Sequence, residues 1–492
     1  MPYDSLSDFL NDLTDAGELV RIAAEVEPVL EISEITDRVC KSPGGGPALF
    51  FERVRGSTMP VAINLLGSYR RMCRALGVQS FEELAEHLTV AMQAPATDGW
   101  LEKLRRTPAL GQSGKWSPRV ARSGACQQVI KLGRDVDLGE LPALQGWPLD
   151  EGRSIPQGCL FSRSPQGGAL GLGLCPVLIA DRATCRLHWD RHQEAYRHFL
   201  EYRRLAQPMP VAIVLGGDPA LPFLAAAPLE PPFDACQFGG FLRGQGLELV
   251  KCRSIDLDVP ASCELVIEGH IDPTEPWHPG GSLGASSGFY SLGENSPQLQ
   301  VTAVTHRANP VFPTTLVGKP PMEDFWLGKA LERVFLPLIK LQIPELVDCN
   351  LPRAGAFHNL AMVSIRKTYP QQARKVMNAL WGLRQMMFSK IVIVVDEQVD
   401  VHDEESVWFQ VGANVHPARD VVFNEGPAWM LDHAAPMCGV GQKLGIDATR
   451  KFPEEGHPRP WPNETQMPRD IQALVTGRWS EYGLGPLLPE SR

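Results

Sequence analysis

The sequence predicts an α/β protein of the multidomain α+β kind: an N-terminal α/β domain (1–115), a central β-rich domain (116–310) and a C-terminal α/β domain (311–492). Three observations carry that prediction. Helical and strand-like patterns alternate in the first stretch, short apolar runs broken by Gly and Pro fill the middle, and a helical period returns beyond Gly318. The 492 residues suffice for two to four domains, and 43% hydrophobic with 21% charged residues is ordinary globular composition.

Taken in order, Asp4 or Ser5 caps a helix with Leu6, Phe9, Leu10 and Leu13 on one side, and Gly17 closes it. A strand at Leu19–Ile22 precedes a helix at Glu31–Cys40, which Ser42-Pro43-Gly44-Gly45-Gly46 stops. Ala48–Phe51 and Pro60–Asn64 read as strands, 69–76 and 80–93 as helices. In the middle, Val129–Leu132, Gly158–Phe161, Val177–Ala180, Val211–Leu215, Leu247–Cys252, Leu265–Glu268 and Gln298–Val304 read as strands, with one helix at Gln193–Ala206. That spacing predicts a barrel or sandwich rather than a parallel sheet, and the turn Ser164-Pro165-Gln166-Gly167-Gly168 makes a hairpin of its flanking runs. Further on, Phe325, Leu327, Leu331, Val334, Phe335, Leu338 and Ile339 line a helix, and Lys375–Met387 forms another. Ile391–Asp396 is apolar enough to be buried on both faces; a helix at 404–415 is expected to join it to Val421–Phe423 as a β-α-β unit. The rest, 430–492, reads as irregular apart from a helix near 469–477.

A net charge of −10 without any Lys/Arg run excludes the electrostatic footprint of a nucleic-acid binder. No apolar run is long enough to span a membrane and no signal-like segment opens the chain, so a cytoplasmic location is expected. The eleven cysteines are scattered, with no C-x-x-C pair, which argues for reduced thiols.

Four local patterns bear on chemistry. Gly284-Ala285-Ser286-Ser287-Gly288 matches the G-x-S-x-G elbow of hydrolases, but its Gly/Pro-rich flank predicts a loop, which leaves a Ser286 hydrolase as a remote alternative. Gly171 and Gly173 lack the third glycine of a dinucleotide fingerprint and fit a tight β segment. His188 and His192 would share one face of a helix and could then hold a metal; in extended chain they do not converge, and such pairs are more often structural. Lys390, just ahead of the buried strand, either sets a cation beside a phosphate or faces solvent.

Several longer motifs carry a resemblance. Phe241-Leu242-Arg243-Gly244 with Glu248–Cys252, Gly318-Lys319-Pro320-Pro321-Met322-Glu323-Asp324, Asn378–Leu383, Val395-Asp396-Glu397, Leu431-Asp432-His433-Ala434 and Gly445–Lys451 resemble the UbiD family of decarboxylases over about residues 5–480, nearest in texture to its quinone-pathway aromatic-acid branch. The resemblance implies a central split β-barrel holding prenylated FMN, manganese and potassium at its phosphate, an aromatic or unsaturated acid as ligand, and a C-terminal domain used in oligomerisation. It also implies catalysis through a Glu-Arg-Glu network.

Position by position, that pattern breaks. The metal-binding Asn falls on Gly171, the catalytic Arg on Pro176, the metal-binding Glu on Ala235, and the two catalytic carboxylates on Gly280 and Ala285. His192 in the metal-binding His position and Lys390 in the phosphate-lysine position remain, and Asp234 or Glu230 are the nearest substitute carboxylates. A hard divalent ion needs several oxygen ligands, and proline offers neither charge nor N–H. The expectation is therefore a retained fold with no catalytic residue of its own, His192 and Lys390 as its cofactor contacts, and doubtful manganese and potassium. Such a chain reads as a non-catalytic subunit paired with an active UbiD-like paralogue in a homo- or hetero-oligomer. An active decarboxylase with an altered site is the alternative. If the backbone keeps the family geometry, restoring all five residues should restore metal binding.

Overall fold

The computed structural model describes residues 3–93, 116–229, 234–384, 386–465 and 467–484. The first helix runs Leu6–Asp15; Ser5 caps it by accepting the Asp8 N–H, and Leu6, Phe9, Leu10 and Leu13 form its buried stripe. Strands β1 (Leu19–Val26) and β2 (Ala48–Val54) pair parallel, joined by the helix Glu31–Cys40, and β3 (Val61–Ile63) pairs antiparallel to β2. The fourth strand of this sheet, Phe312–Thr314, arrives from beyond the central β-rich region and lies parallel to β3.

The central region contains β4 (Arg119–Ala121), β5 (Val129–Leu132), β6 (Ser154–Ser162), β7 (Gly171–Ile179), β8 (Thr184–Leu187), β9 (Met209–Leu215), β10 (Glu248–Lys251), β11 (Asp258–Pro260), β12 (Leu265–Ile271) and β13 (Gln298–His306). Six of them close an antiparallel barrel in the order β12-β9-β6-β7-β8-β13, with β13 returning to β12. The barrel that the strand spacing predicted is therefore present. Its strands alternate between two cores, as a period of two requires. Leu160, Val211, Ile213, Leu265 and Ile267 enter one, while Cys159, Phe161, Ala212, Val214 and Val266 enter the other. Burial of both faces explains why these strands read as continuous apolar runs.

Two short helices, Leu221–Ala226 and Ala235–Arg243, escaped the sequence reading. The second contains Gly239 and Gly240, poor helix formers, yet packing demands them. A Cβ at Gly239 would meet Leu224 and Leu247 at 2.8 Å, and one at Gly240 would press into the Trp116 carbonyl.

With Phe312–Thr314 as β14, the C-terminal sheet comprises β15 (Leu346–Asn350), β16 (Leu360–Ile365), β17 (Ile391–Asp396), β18 (Val421–Pro427) and β19 (Val440–Asp447), ordered β15-β16-β17-β19-β18. Val392 to Val395 are fully buried, as expected. The β-α-β expectation needs correction: the parallel partner of β17 is β19, within the stretch read as irregular, and β18 lies at the edge, antiparallel to β19. The helix Glu404–Asn414 does follow β17, but strand order cannot be read from sequence neighbours when a later strand inserts between them.

The helix Glu323–Gln342 ties the sheets together, placing Leu327, Ala330, Val334 and Phe335 in the N-terminal core and Leu336 and Ile339 in the C-terminal one. Its first turn carries two enclosed acids. Among the described residues Asp324 Oδ2 is buried without a hydrogen-bond partner, and burial, with the Glu323 carboxyl adding to it, pushes the Asp324 pKa up to about 7. A carboxyl whose pKa rises on folding binds more protons folded than unfolded, so stability falls as pH rises from about 4 to about 7. Asp324→Asn should flatten that slope and, at pH 8, stabilise the chain by at most about 4 kcal/mol, at roughly 1.4 kcal/mol per pKa unit. Urea unfolding at pH 5 and pH 8 measures it; an unchanged slope in Asp324→Asn would refute the assignment.

Candidate functional site

Most of the site positions singled out in the sequence lie on β7, on the segment 188–193, on the loop 278–296 or at the start of the helix Ala235–Arg243, and Lys390 stands just ahead of β17.

On β7, Gly171 pairs with Ser162 of β6, and the space beside it is occupied. A Cβ there would lie 2.9 Å from His198 Cε1 and 3.1–3.2 Å from Glu194 Cγ and Oε2. His198 is itself engaged: Nδ1 contacts Ser162 Oγ at 3.0 Å, and Nε2 lies 3.9 Å from Glu194 Oε1. Pro176 accepts the His188 N–H at its carbonyl and has no N–H of its own to donate. Residues 188–193 are non-helical, so His188 and His192 do not share a face as a metal pair would. His188 is enclosed behind the loop, against the Gly280 backbone, and burial lowers its pKa.

His192 turns outward. Its backbone N–H is held by Asp190 Oδ1 at 2.8 Å, and its ring packs edge-on against Phe388 at 5.1 Å. Lys390, two residues beyond Phe388, pairs its ammonium with Asp432 Oδ1 at 2.7 Å. Phe388 also stacks against His358, which in turn packs on Trp429. Burial drives the His358 pKa to about 4, so this ring is neutral at physiological pH. The structure thus brings His192 and Lys390 to one stretch, residues 388–390. A second ring pair, Phe289 with His433 at 4.3 Å, and a bond from Arg384 to the Leu229 carbonyl at 2.9 Å, join the same two domains.

Ala235 opens the helix whose cap is Asp234; Asp234 Oδ1 accepts the Cys236 N–H at 2.7 Å, which commits that carboxylate to the helix end. Glu230 lies outside the described residues. The arginine of the Phe-Leu-Arg-Gly motif, Arg243, binds Asp218 and the Ala75 carbonyl and so anchors the domain interface.

The loop 278–296 has closed on its glycines. A Cβ at Gly280 would press into the Glu294 carbonyl oxygen and sit 2.7 Å from Ser296 Oγ. Gly284 donates its N–H to Asp150 Oδ1, and Ala285 is bonded through its backbone to Phe289. Gly284–Gly288 therefore lies in a turn bridged by Gly284 and Tyr290, with no strand entering and no helix leaving, which removes the Ser286 elbow.

Among the described residues, no group of three His, Cys, Asp or Glu side chains could hold a metal ion. Among the described residues the side chains at these positions do not fit the manganese that the family pattern implies. Asp432, Phe388 and His358 were not anticipated as site residues. Only Asp432 had a sequence signal, its place in Leu431-Asp432-His433-Ala434; the ring contacts arise from packing alone.

A closed antiparallel barrel between two α/β sheets, joined to the C-terminal domain through the His192–Phe388 and Phe289–His433 ring contacts, defines a carboxy-lyase-like architecture. Family models described as the 3-octaprenyl-4-hydroxybenzoate carboxy-lyase N-terminal domain, Rift-related domain and C-terminal domain match residues 10–88, 119–320 and 325–448. The chain belongs to the UbiD family. An uncharacterized protein of Aquifex aeolicus is 42% identical over 98% of this chain and 99% of its own. Vanillic acid decarboxylase of Sedimentibacter hydroxybenzoicus in closed form superposes with a TM-score of 0.84 at 27% identity, covering 99% of this chain and 100% of that one. Its open form gives 0.76. An evolved dimeric form of the UbiD-class enzyme HmfF from Pelotomaculum thermopropionicum, in complex with prFMN, gives 0.76 at 26% identity, covering 95% and 97%. Among the described residues no helix is long and apolar enough to cross a membrane.

Proposed function

We propose that this chain is a non-catalytic UbiD-type subunit of a cytoplasmic aromatic- or unsaturated-acid decarboxylation system, working beside a catalytic paralogue. The observation that carries the reading is the set of residues standing at the family's site positions. The five positions that supply acid, guanidinium and metal ligands in the family pattern are Gly171, Pro176, Ala235, Gly280 and Ala285, and the backbone at Gly280 leaves no room for a side chain. A general acid contributes roughly 10²–10⁴ in rate where one is used, and none of these residues can supply a proton. Flavin uptake is expected to be slight, because Lys390 is already neutralised by Asp432 and His192 is the one family ligand left.

The C-terminal domain supports a partner. Its edge strand β18 exposes Phe423, the helix Glu404–Asn414 exposes Trp408 and Phe409, and the helix Arg469–Gly477 buries none of its residues while exposing Ile471 and Leu474. These exposed aromatic and aliphatic side chains, and an edge strand that invites pairing, are what support an interface on this domain. The dimeric form of HmfF, and the truncated ShVdcD present with one structure of vanillic acid decarboxylase, show that relatives assemble.

A second reading, an active decarboxylase with an altered site, draws on Asp190, whose carboxylate accepts the His192 N–H at 2.8 Å. Affinity purification from the native host separates the two. The first reading expects a second UbiD-like chain in stoichiometric amount; recovery of this chain alone, carrying flavin absorbance, would favour the second.

A further inference from the structure

Away from the family's site positions, a cavity opens between the N-terminal sheet and the barrel. Leu65 beyond β3, Ile155 and Gln157 of β6, Val214 of β9, Thr314 of β14 and Glu323 at the head of the long helix line it. None of Gly171, Pro176, His192, Ala235, Gly280, Ala285 and Lys390 is among its walls. The cavity is part open, and the centre of a water molecule can move through about 50 Å³ of it. With the radius of the water added all round, the space is comparable with the engineered cavity of about 150 Å³ that takes a benzene ring.

The walls are mostly apolar, yet polar groups on them stand bare. Among the described residues, Glu323 Oε2 and Thr314 Oγ1 are buried without a hydrogen-bond partner, and the Gln157 amide makes no hydrogen bond. Glu323 is only 3% exposed, and its other oxygen is fixed by accepting the Leu66 N–H at 2.7 Å. Asp218, the second acid on the wall, is already spent: it binds Arg243 at 2.7 Å and accepts the Ala220 N–H at 2.8 Å. Buried polar atoms nearly always have partners, and an apolar chamber with a few convergent polar groups is the common form of a small-molecule site. A carboxylate oxygen accepts, whereas a threonine hydroxyl can also donate. One hydroxyl can therefore serve both, while a second carboxylate would meet Glu323 as a like charge.

We propose that this cavity binds one neutral hydroxylated ring of the size of phenol. The ligand hydroxyl donates to Glu323 Oε2 and accepts from Thr314 Oγ1, and the ring lies against Leu65, Ile155 and Val214. The site stands apart from the family's cofactor positions, so it holds whether or not the chain is catalytic.

The test titrates the full chain with phenol, toluene and benzoate by saturation-transfer NMR and soaks its crystals in phenol. Phenol should bind with a dissociation constant on the order of 1 mM or tighter, in keeping with so small a ligand. Toluene, which has the shape without the hydroxyl, should bind about tenfold more weakly, and benzoate should not saturate. Glu323→Gln sets an amide nitrogen where Oε2 stood, so it should bring phenol down to the level of toluene and leave toluene unchanged. If that variant folds poorly, the parent chain decides: the soaked crystal should show the ring between Leu65 and Val214 with its hydroxyl on Glu323. A cavity without phenol in that crystal, equal binding of phenol and toluene by the parent, or full phenol affinity in Glu323→Gln would overturn the proposal.

Discussion

A glutamate placed at position 280 should destabilise the chain by about 1–3 kcal/mol or more and restore no manganese binding. The reason is steric and local. At Gly171 the atoms that crowd a new Cβ belong to the His198 and Glu194 side chains and not to backbone. At Gly280 the first obstacle is the Glu294 carbonyl oxygen, part of a backbone held in register by the two His278–Ser296 bonds. Relief there requires moving main chain, and overpacking of that kind costs about 1–3 kcal/mol or more. The five-residue restoration, Gly171→Asn, Pro176→Arg, Ala235→Glu, Gly280→Glu and Ala285→Asp, should therefore fail as a set. Urea unfolding of Gly280→Ala and Gly280→Glu against the parent checks the claim; parental stability in Gly280→Ala would show that the loop has room.

Lys367→Met should cost about 3–5 kcal/mol, the penalty for breaking one side of a buried ion pair. Lys367 Nζ donates to both Glu455 carboxylate oxygens at 2.8 Å, to Thr449 Oγ1 and to the Arg450 carbonyl, with 3% of the lysine side chain and 1% of the glutamate exposed. Burial alone would raise the Glu455 pKa, but the Lys367 bond and two backbone N–H groups hold it below the usual range. Removing the ammonium strands a buried carboxylate. Lys451 adds its own bonds to Asp447 and Thr449, so the network fastens β19 to the end of the sheet. Lys367→Met paired with Glu455→Leu should recover much of the loss; a double variant as unstable as the single one would mean that the charge pair is not the source.

That network shows why some of this molecule was legible in the sequence. Gly445–Lys451 is recognisable because its bonds run between near neighbours, Asp447 to Thr449 and Lys451, so the requirement is written into one short stretch. The barrel was legible because short apolar runs, buried on both faces, are punctuated by Gly and Pro at the spacing of strands. The order of β17, β18 and β19 was not, because it depends on a strand that arrives later in the chain. For the site, the sequence supplied the positions of His192 and Lys390 and the losses around them. It could not supply Phe388 under His192, a contact made across a domain boundary, or Asp432 on Lys390, a pairing made over 42 residues of chain. Nor could it supply the closed loop at Gly280, where the backbone has moved into the space that a side chain would need.

The most direct test of the account is carbon dioxide release by this chain purified alone after co-expression with a prenylated-FMN synthase, assayed over a panel of aromatic and unsaturated acids. No turnover above buffer is predicted, with activity appearing only when a catalytic paralogue is added. Sustained turnover by the isolated chain would contradict it.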